Sequence, residues 1–195
     1  MDYTKYWEKA IDFGTYMQNF ERELTEGTAV TEADKLPINM QRIKRILKTM
    51  VVSEDDLNKL SALNEMHKWI VISEHWCGDS AQILPAMYKV AEASNGKIEL
   101  RIIYRDVNPE FMDAHLTNGG RSIPKLIQLN SQFEVTGMYG PRPEYAMQLV
   151  KRLKSDSATA STYAEEVHKW YAQDKQQSIL KDLLQLVKNP SAVPN

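Results

Sequence analysis

Apolar residues recur at helical spacing through the first quarter of the chain. Between Thr4 and about Glu26, aromatic and aliphatic side chains repeat every three or four positions, which predicts one helix that ends at Gly27. A polar loop is expected to follow as far as Pro37. The segment NMQRIKRILKTM then combines an apolar face with a basic opposite face and predicts a second helix.

A third helix is indicated by a capping signal. Ser53 and Asp56 resemble a capping box, and the helix that they open is expected to run through about Met66. Residues 1–65 are therefore predicted to form a helical N-terminal extension.

The pattern changes at the short apolar run KWIVIS, which is typical of a strand buried on both faces of a sheet. Residues 81–93 then predict a helix that contains Pro85. Further along, the sequence predicts a strand, a short helix, a strand pair and a last helix, in the segments KIELRIIYRDV, NPEFMDAHL, IPKLIQL with EVTGMY, and PEYAMQLVKRL. This alternation over residues 66–153 predicts an α/β domain with a central sheet flanked by helices.

The end of the chain returns to a helical pattern. After the small, polar segment SDSATAST, one or two amphipathic helices are expected, and the last residues, NPSAVPN, are expected to fray. Residues 154–195 are therefore predicted to form a C-terminal helical extension.

Composition excludes several classes of function. The 195 residues include 24 basic and 26 acidic side chains, and a net charge of −2 gives no general attraction to nucleic acid or to an anionic membrane. No stretch approaches the roughly 20 apolar residues that span a bilayer. The N-terminus lacks the basic-then-apolar profile of a signal peptide, so a cytoplasmic location is expected.

The chain contains one cysteine, Cys77, at the predicted junction of a buried strand and a helix. Free backbone N–H groups at the start of a helix favour the thiolate, which is the nucleophilic form of cysteine. Asp79 suits the first helical turn, but its charge disfavours a thiolate nearby. Ser80 can hydrogen-bond the sulfur but cannot resolve a mixed disulfide. The alternative is that Cys77 is a small buried apolar residue.

The stretch NGGRSIPKLI contains a second informative feature, a proline at the start of a predicted strand. Pro124 cannot donate to a ladder and so marks a sheet edge or an exposed loop end. A cis Ile123–Pro124 bond would leave the backbone of Ile123 free to pair with an extended peptide.

Together these features resemble the thioredoxin superfamily. The run Trp76-Cys77-Gly78-Asp79-Ser80 is similar to the Trp-Cys-Gly-Pro-Cys motif of that family, with Asp79 and Ser80 in the last two places. The resemblance covers about residues 66–153, and it implies a thioredoxin-like sheet with Cys77 as the catalytic residue. Other matches are DVNP before the short helix, Ile123 before a cis Pro124, and Gly140 after the last strand. LTNGGRSIPKLI and GPRP, with the helical N-terminal extension, resemble a poorly characterised bacterial group of this family.

Three departures from the thioredoxin pattern affect the implied chemistry. Val71 stands where thioredoxins carry a buried aspartate, and Ile102 stands where they carry its lysine partner. Ser80 replaces the resolving cysteine. The resemblance therefore implies an attacking thiol and a peptide-binding segment without the proton-transfer groups of a general disulfide reductase.

The first hypothesis is a monothiol oxidoreductase that acts on protein thiols or disulfides. Cys77 would attack a disulfide, and glutathione or another small thiol would resolve the mixed disulfide. Arg121, Lys125 and Arg142 are candidates to hold carboxylates of that thiol. The alternative for these three side chains is ordinary solvated surface charge.

The second hypothesis is a binding module without turnover, in which the Ile123–Pro124 segment docks an extended partner. A third possibility is a metal or iron–sulfur site at His75, Cys77 and Asp79. Three adjacent ligands rarely converge without others, so we predict no metal, no bound cofactor, and no nucleic-acid or membrane partner.

Overall fold

A computed structural model of the chain describes residues 1–27 and 32–189. Residues 28–31 of the predicted polar loop and all but the first residue of NPSAVPN lie outside the described part. The nine helices found in these ranges are α1 Tyr3–Lys9, α2 Phe13–Glu26, α3 Leu36–Thr49, α4 Glu54–Ser61, α5 Gly78–Ala93, α6 Pro109–Asp113, α7 Glu144–Ser155, α8 Tyr163–Asp174 and α9 Gln177–Lys188. The strands are β1 His67–Ser73, β2 Ile98–Tyr104, β3 Lys125–Leu129 and β4 Val135–Tyr139.

The four strands form one mixed sheet in the order β2-β1-β3-β4. Strand β1 runs parallel to β2 and antiparallel to β3, and β4 pairs antiparallel with β3. Val71 at the centre of β1 lies opposite Ile102 on one side and Leu126 on the other, and all three are fully buried. The predicted α/β fold is therefore confirmed.

Strand β1 is covered on both faces. Successive side chains point to opposite sides of a strand, so alternate residues of β1 join two different apolar clusters. Trp69 and Val71 belong to the larger apolar cluster, which includes residues of α2, α3, α5 and α9. Ile70 and Ile72 belong to a second cluster, formed with residues of α1 and α6. The apolar run KWIVIS reflects this double burial.

The prediction of one helix from Thr4 to Glu26 is wrong, because the chain leaves the helix between α1 and α2. The backbone of Ile11 exchanges two hydrogen bonds with Ile102, at 2.8 and 2.7 Å, along the outer side of β2. Asp12 then caps α2 by accepting from the backbone N–H of Thr15 at 2.8 Å. This contact with the sheet edge explains the break. The third helix, α4, also ends earlier than expected, at Ser61 rather than near Met66.

Two helices, α8 and α9, follow the polar linker. Helix α9 lies against β4, where the Leu186 side chain occupies the space beside Gly137 and the Leu186 carbonyl accepts from Gln128 at 3.2 Å. Helix α8 packs against α7 and extends to the start of α5. Helix α8 therefore contributes to the surroundings of Cys77.

Candidate functional site around Cys77

Cys77 is the residue that caps the N-terminus of α5. Its sulfur accepts from the backbone N–H of Ser80 at 3.4 Å, and the thiol donates to the carbonyl oxygen of Ile123 at 3.4 Å. The side chain lies in the apolar cluster that contains Ile70 and Ile72, and the residue is 8% exposed. The thiol is therefore held between the start of a helix and the loop that precedes β3.

The thiol of Cys77 is held in its protonated form. Burial and then the negative charge of Asp79 raise the pKa of Cys77 to about 11, although the hydrogen bond from the backbone N–H of Ser80 acts in the opposite direction. Hydrogen-bond donors at the helix start are thus outweighed by the loss of hydration. At pH 7 only about one Cys77 side chain in ten thousand is a thiolate.

The carboxylate of Asp79 is enclosed by side chains from later in the chain. Arg142 contacts Oδ2, and the hydroxyl of Tyr171 donates to Oδ1 at 3.0 Å. The side chains of Asp79 and Arg142 are 13% and 18% exposed, so this ion pair is largely shielded from water. Arg142, one of the predicted substrate-binding residues, therefore holds an acidic residue of the motif itself.

The segment before β3 lies directly against the thiol. The Ile123–Pro124 bond is cis, and both residues are buried. Pro124 does not mark a sheet edge, since β3 lies between β1 and β4. The Ile123 carbonyl already accepts the Cys77 thiol at 3.4 Å, so the backbone of Ile123 is not wholly unpaired. Gly140 has a φ of +103°, and a Cβ there would lie 2.3 Å from the carbonyl oxygen of Pro124.

A cavity of about 340 Å³ opens beside Cys77. Its wall includes residues from α3, the motif, the loop before β3, and α8. The lining residues are Glu32, Lys35, Arg42, Trp76, Cys77, Gly78, Asp79, Arg105, Arg121, Ser122, Ile123, Arg142, Tyr163, Ala164, Val167 and His168.

The three basic residues singled out in the sequence have different surroundings. Arg121 and Arg142 line the cavity, and Arg121 makes two hydrogen bonds of 2.6 Å to Asp113. Lys125 is buried instead, and its amino group donates to Thr117 at 3.2 Å. Pairing thus engages Arg121 and Arg142 within the chain, and Lys125 is not part of the cavity wall.

Trp76 forms one side of the cavity and lies under the guanidinium group of Arg105, 4.6 Å from the ring centre to the guanidinium carbon. Behind Trp76, the ring of His75 stacks on Phe20 at 4.4 Å, and its Nδ1 lies 2.5 Å from Oε2 of Glu23. His75 therefore belongs to a buried aromatic and polar cluster. No cluster of three or more His, Cys, Asp or Glu side chains suited to a metal ion occurs in residues 1–27 and 32–189.

Two cavity residues, Arg42 and His168, were not recognised from the sequence. Arg42 belongs to the basic face of α3, and His168 lies 91 positions after Cys77. A Cβ on Gly78 would lie 2.9 Å from Nε2 of His168 and 3.4 Å from Nη1 of Arg42. Both groups therefore meet at the residue that follows the thiol.

Comparisons with known proteins agree with the fold of the chain. Residues 28–160 match a family model described as thioredoxin. A protein of unknown function from Pseudomonas aeruginosa has a similar structure, with a TM-score of 0.69 and 16% identity over 96% of this chain and 98% of its own. An HIV epitope scaffold is also similar, with a TM-score of 0.62 and 17% identity over the same shares of the two chains.

No curated protein matches the sequence. Over the residues that the structure describes, no helix has the length and apolar character needed to cross a membrane.

Proposed function

Because the chain belongs to the thioredoxin family, we propose that its single thiol, Cys77, exchanges with disulfides of other molecules. In the first step the Cys77 sulfur attacks a disulfide R–S–S–R′. A Cys77–S–S–R bond forms, the S–S bond of the substrate breaks, and R′ leaves as a thiolate that takes up the proton lost by Cys77. A small external thiol then restores Cys77 by a second exchange.

One observation carries this proposal. Cys77 lines a cavity of about 340 Å³ at the start of α5, which gives a disulfide a route towards the thiol. The surrounding wall is formed by the family motif and by the segment that contains Ile123. A lone buried cysteine inside an apolar core would have no such opening.

The surroundings of Cys77 favour slow exchange with a long-lived mixed disulfide. The mixed disulfide can be resolved by an external thiol that attacks the sulfur of the partner and displaces Cys77. A pKa of about 11 makes Cys77 a poor leaving group, so this displacement is slow. Attack on the Cys77 sulfur itself is hindered, since the residue is 8% exposed. Val71 and Ser80 provide neither a proton acceptor nor a second thiol. We therefore infer that capture of a disulfide partner as a mixed disulfide, rather than rapid general reduction, is the main reaction.

The test is intact mass spectrometry after incubation with oxidised glutathione. The wild-type protein is expected to gain one glutathione residue, and Cys77→Ser is expected to gain none. The rate should rise about tenfold for each pH unit between about 7 and 9, because only the thiolate reacts. Absence of an adduct after prolonged incubation at high pH would overturn the proposal.

A second candidate is a binding module without exchange, and the low exposure and raised pKa of Cys77 favour it. In that case a partner would dock at the cavity and the loop before β3 without a covalent bond. Partners retained under reducing conditions would be the same for wild type and for Cys77→Ala. Loss of every partner in Cys77→Ala would exclude this candidate. We expect either activity to take place in the cytoplasm.

A further inference from the structure

Arg42 differs from the other cations of the cavity. Lys35, Arg105, Arg121 and Arg142 are each paired with a carboxylate. Within residues 1–27 and 32–189, by contrast, Arg42 has no carboxylate partner in hydrogen-bond or ion-pair contact. The cavity wall therefore contains a cation that is not directly paired with an anion, although the Asp79 carboxylate acts on its charge from nearby.

Arg42 is held in place by a buried amide. Its Nη1 donates to Oδ1 of Asn39 at 2.8 Å, and Asn39, which is fully buried, donates to the carbonyl of His75 at 3.0 Å. Burial and the nearby charge of Arg45 lower the pKa of Arg42. An anion placed beside Arg42 would offset both effects.

His168 presents a hydrogen-bond donor to the same place. Arg45 donates to Oε1 of Gln82 at 3.3 Å, which orients the Gln82 amide so that its Nε2 donates to Nδ1 of His168 at 3.2 Å. Since Nδ1 accepts, the proton of the neutral ring lies on Nε2. Burial and the charges of Arg42, Arg142 and Arg45 lower the pKa of His168 to about 4, so the ring is neutral at pH 7.

These two donors converge beside the thiol. The position of a Cβ on Gly78 would be 2.9 Å from Nε2 of His168 and 3.4 Å from Nη1 of Arg42. Gly78 directly follows Cys77 and is the first residue of α5. The absence of a side chain at Gly78 lets both groups approach the backbone at the start of α5, on the wall of the cavity.

We propose that Arg42 and His168 bind a carboxylate of the small thiol or disulfide that reacts with Cys77. A carboxylate accepts hydrogen bonds from the guanidinium group and from the Nε2–H group while it matches the charge of Arg42. The cavity volume of about 340 Å³ falls within the range of small-molecule sites. This inference rests on the proposed exchange at Cys77 and assigns the ligand recognition to α3 and α8, outside the motif.

The test separates binding from exchange by using Cys77→Ser as the background. S-methylglutathione, which has carboxylates but no reactive sulfur, is titrated by calorimetry, and its diethyl ester serves as the neutral probe. Arg42→Gln and His168→Phe should each weaken binding of the acid by about tenfold, which is the value of one charge-assisted hydrogen bond. Lys48→Gln removes one positive charge from an exposed position of the same helix and should leave binding unchanged.

Several outcomes would overturn the proposal. These are equal binding of the acid and the ester, unchanged binding in Arg42→Gln, and no binding of the acid at about 10 mM. Thermal unfolding of each variant checks the fold, and Arg42→Lys provides a second variant that keeps the charge but loses the planar guanidinium. If binding to the Cys77→Ser protein depends on Arg42 but the wild-type protein forms no adduct with oxidised glutathione, this site is supported and the exchange function is rejected. If an adduct forms at Cys77 at the same rate with and without Arg42, the exchange function is supported and the carboxylate site at Arg42 is rejected.

Discussion

The hydroxyl of Tyr171 in α8 donates a 3.0 Å hydrogen bond to the carboxylate of Asp79 in the first turn of α5. Arg142 contacts the other oxygen of the same carboxylate. The negative charge of Asp79 is therefore positioned by Arg142 and Tyr171, which lie 63 and 92 places after Asp79 in the chain. The sequence indicated that Asp79 suits the first helical turn and that its charge disfavours a thiolate nearby. In the structure its carboxylate faces Arg142 and Tyr171, and its charge still raises the pKa of Cys77.

Asp79→Asn should make Cys77 more reactive. Removal of the carboxylate charge, with Arg142 left in place, favours the thiolate and should lower the alkylation midpoint by about one pH unit. At pH 8 the rate of alkylation by iodoacetamide should then rise about tenfold. The midpoint should stay above about 8.5, since burial is the larger cause of the raised pKa.

The matched control is Asp113→Asn, which removes a carboxylate paired with Arg121 at the outer rim of the cavity. That variant should show the alkylation profile of the wild type. A midpoint in Asp79→Asn that is unchanged or higher would contradict the role given to Asp79.

Features that depend on a local pattern or on a family motif were predicted well from the sequence. The apolar run KWIVIS predicts β1, and the spacing of Cys77, Ile123 and Gly140 indicates the thioredoxin fold, which the family match confirms. Asp12 also carried a usable local signal, because it can cap the helix that starts at Phe13. The division of the chain at residues 65 and 154 stays a prediction.

Features that depend on tertiary packing were not predicted. The break between α1 and α2 arises because Ile11 pairs with Ile102, a residue on a strand far along the chain. Arg42 and His168 come from opposite ends of the sequence, and each appears there as an ordinary polar residue of an amphipathic helix. Only the packing of α3 and α8 against the start of α5 places both groups beside Cys77.

Glu74→Gln should stabilise the protein at alkaline pH. Burial is the main cause that raises the pKa of Glu74 from an ordinary value of 4.5 to about 7, so its stabilising neutral form is lost as the pH rises through 7. Glutamine stays neutral and keeps the oxygen that accepts from the backbone N–H of Asp106 at 2.8 Å. Allowing for solvent screening, the gain in the free energy of unfolding above pH 8 should be about 1–2 kcal/mol.

Urea unfolding at two pH values checks this prediction. Near pH 4, below the ordinary pKa of 4.5, the variant and the wild type should differ little, because Glu74 is then largely protonated in both the folded and the unfolded state. Glu8→Gln, at an exposed position of α1, should show no pH-dependent gain. Equal effects of Glu74→Gln at both pH values would contradict the assigned titration.

Gly140→Ala should destabilise the fold strongly. An added Cβ would lie 2.3 Å from the carbonyl oxygen of Pro124, at a backbone φ of +103° that alanine rarely adopts. We expect a loss of about 3 kcal/mol or more in the free energy of unfolding. Gly96→Ala is the matched control, since Gly96 has a φ of +84° with open space around it, and it should cost only about 1 kcal/mol. Equal losses in the two variants would show that the contact with Pro124 has no energetic effect.

Ser80→Cys should restore a disulfide within the motif. The backbone N–H of Ser80 already lies 3.4 Å from the Cys77 sulfur, and residues three apart at a helix start have Cα atoms within the range that a disulfide spans. The hydroxyl of Ser80 is buried and has no hydrogen-bond partner among the described residues, so its replacement by a thiol sacrifices no bond. After mild oxidation, intact mass should show the loss of two hydrogen atoms and no alkylation by iodoacetamide. The double variant Cys77→Ser/Ser80→Cys should keep its thiol, and two alkylated cysteines in oxidised Ser80→Cys would contradict the geometry assigned to the motif.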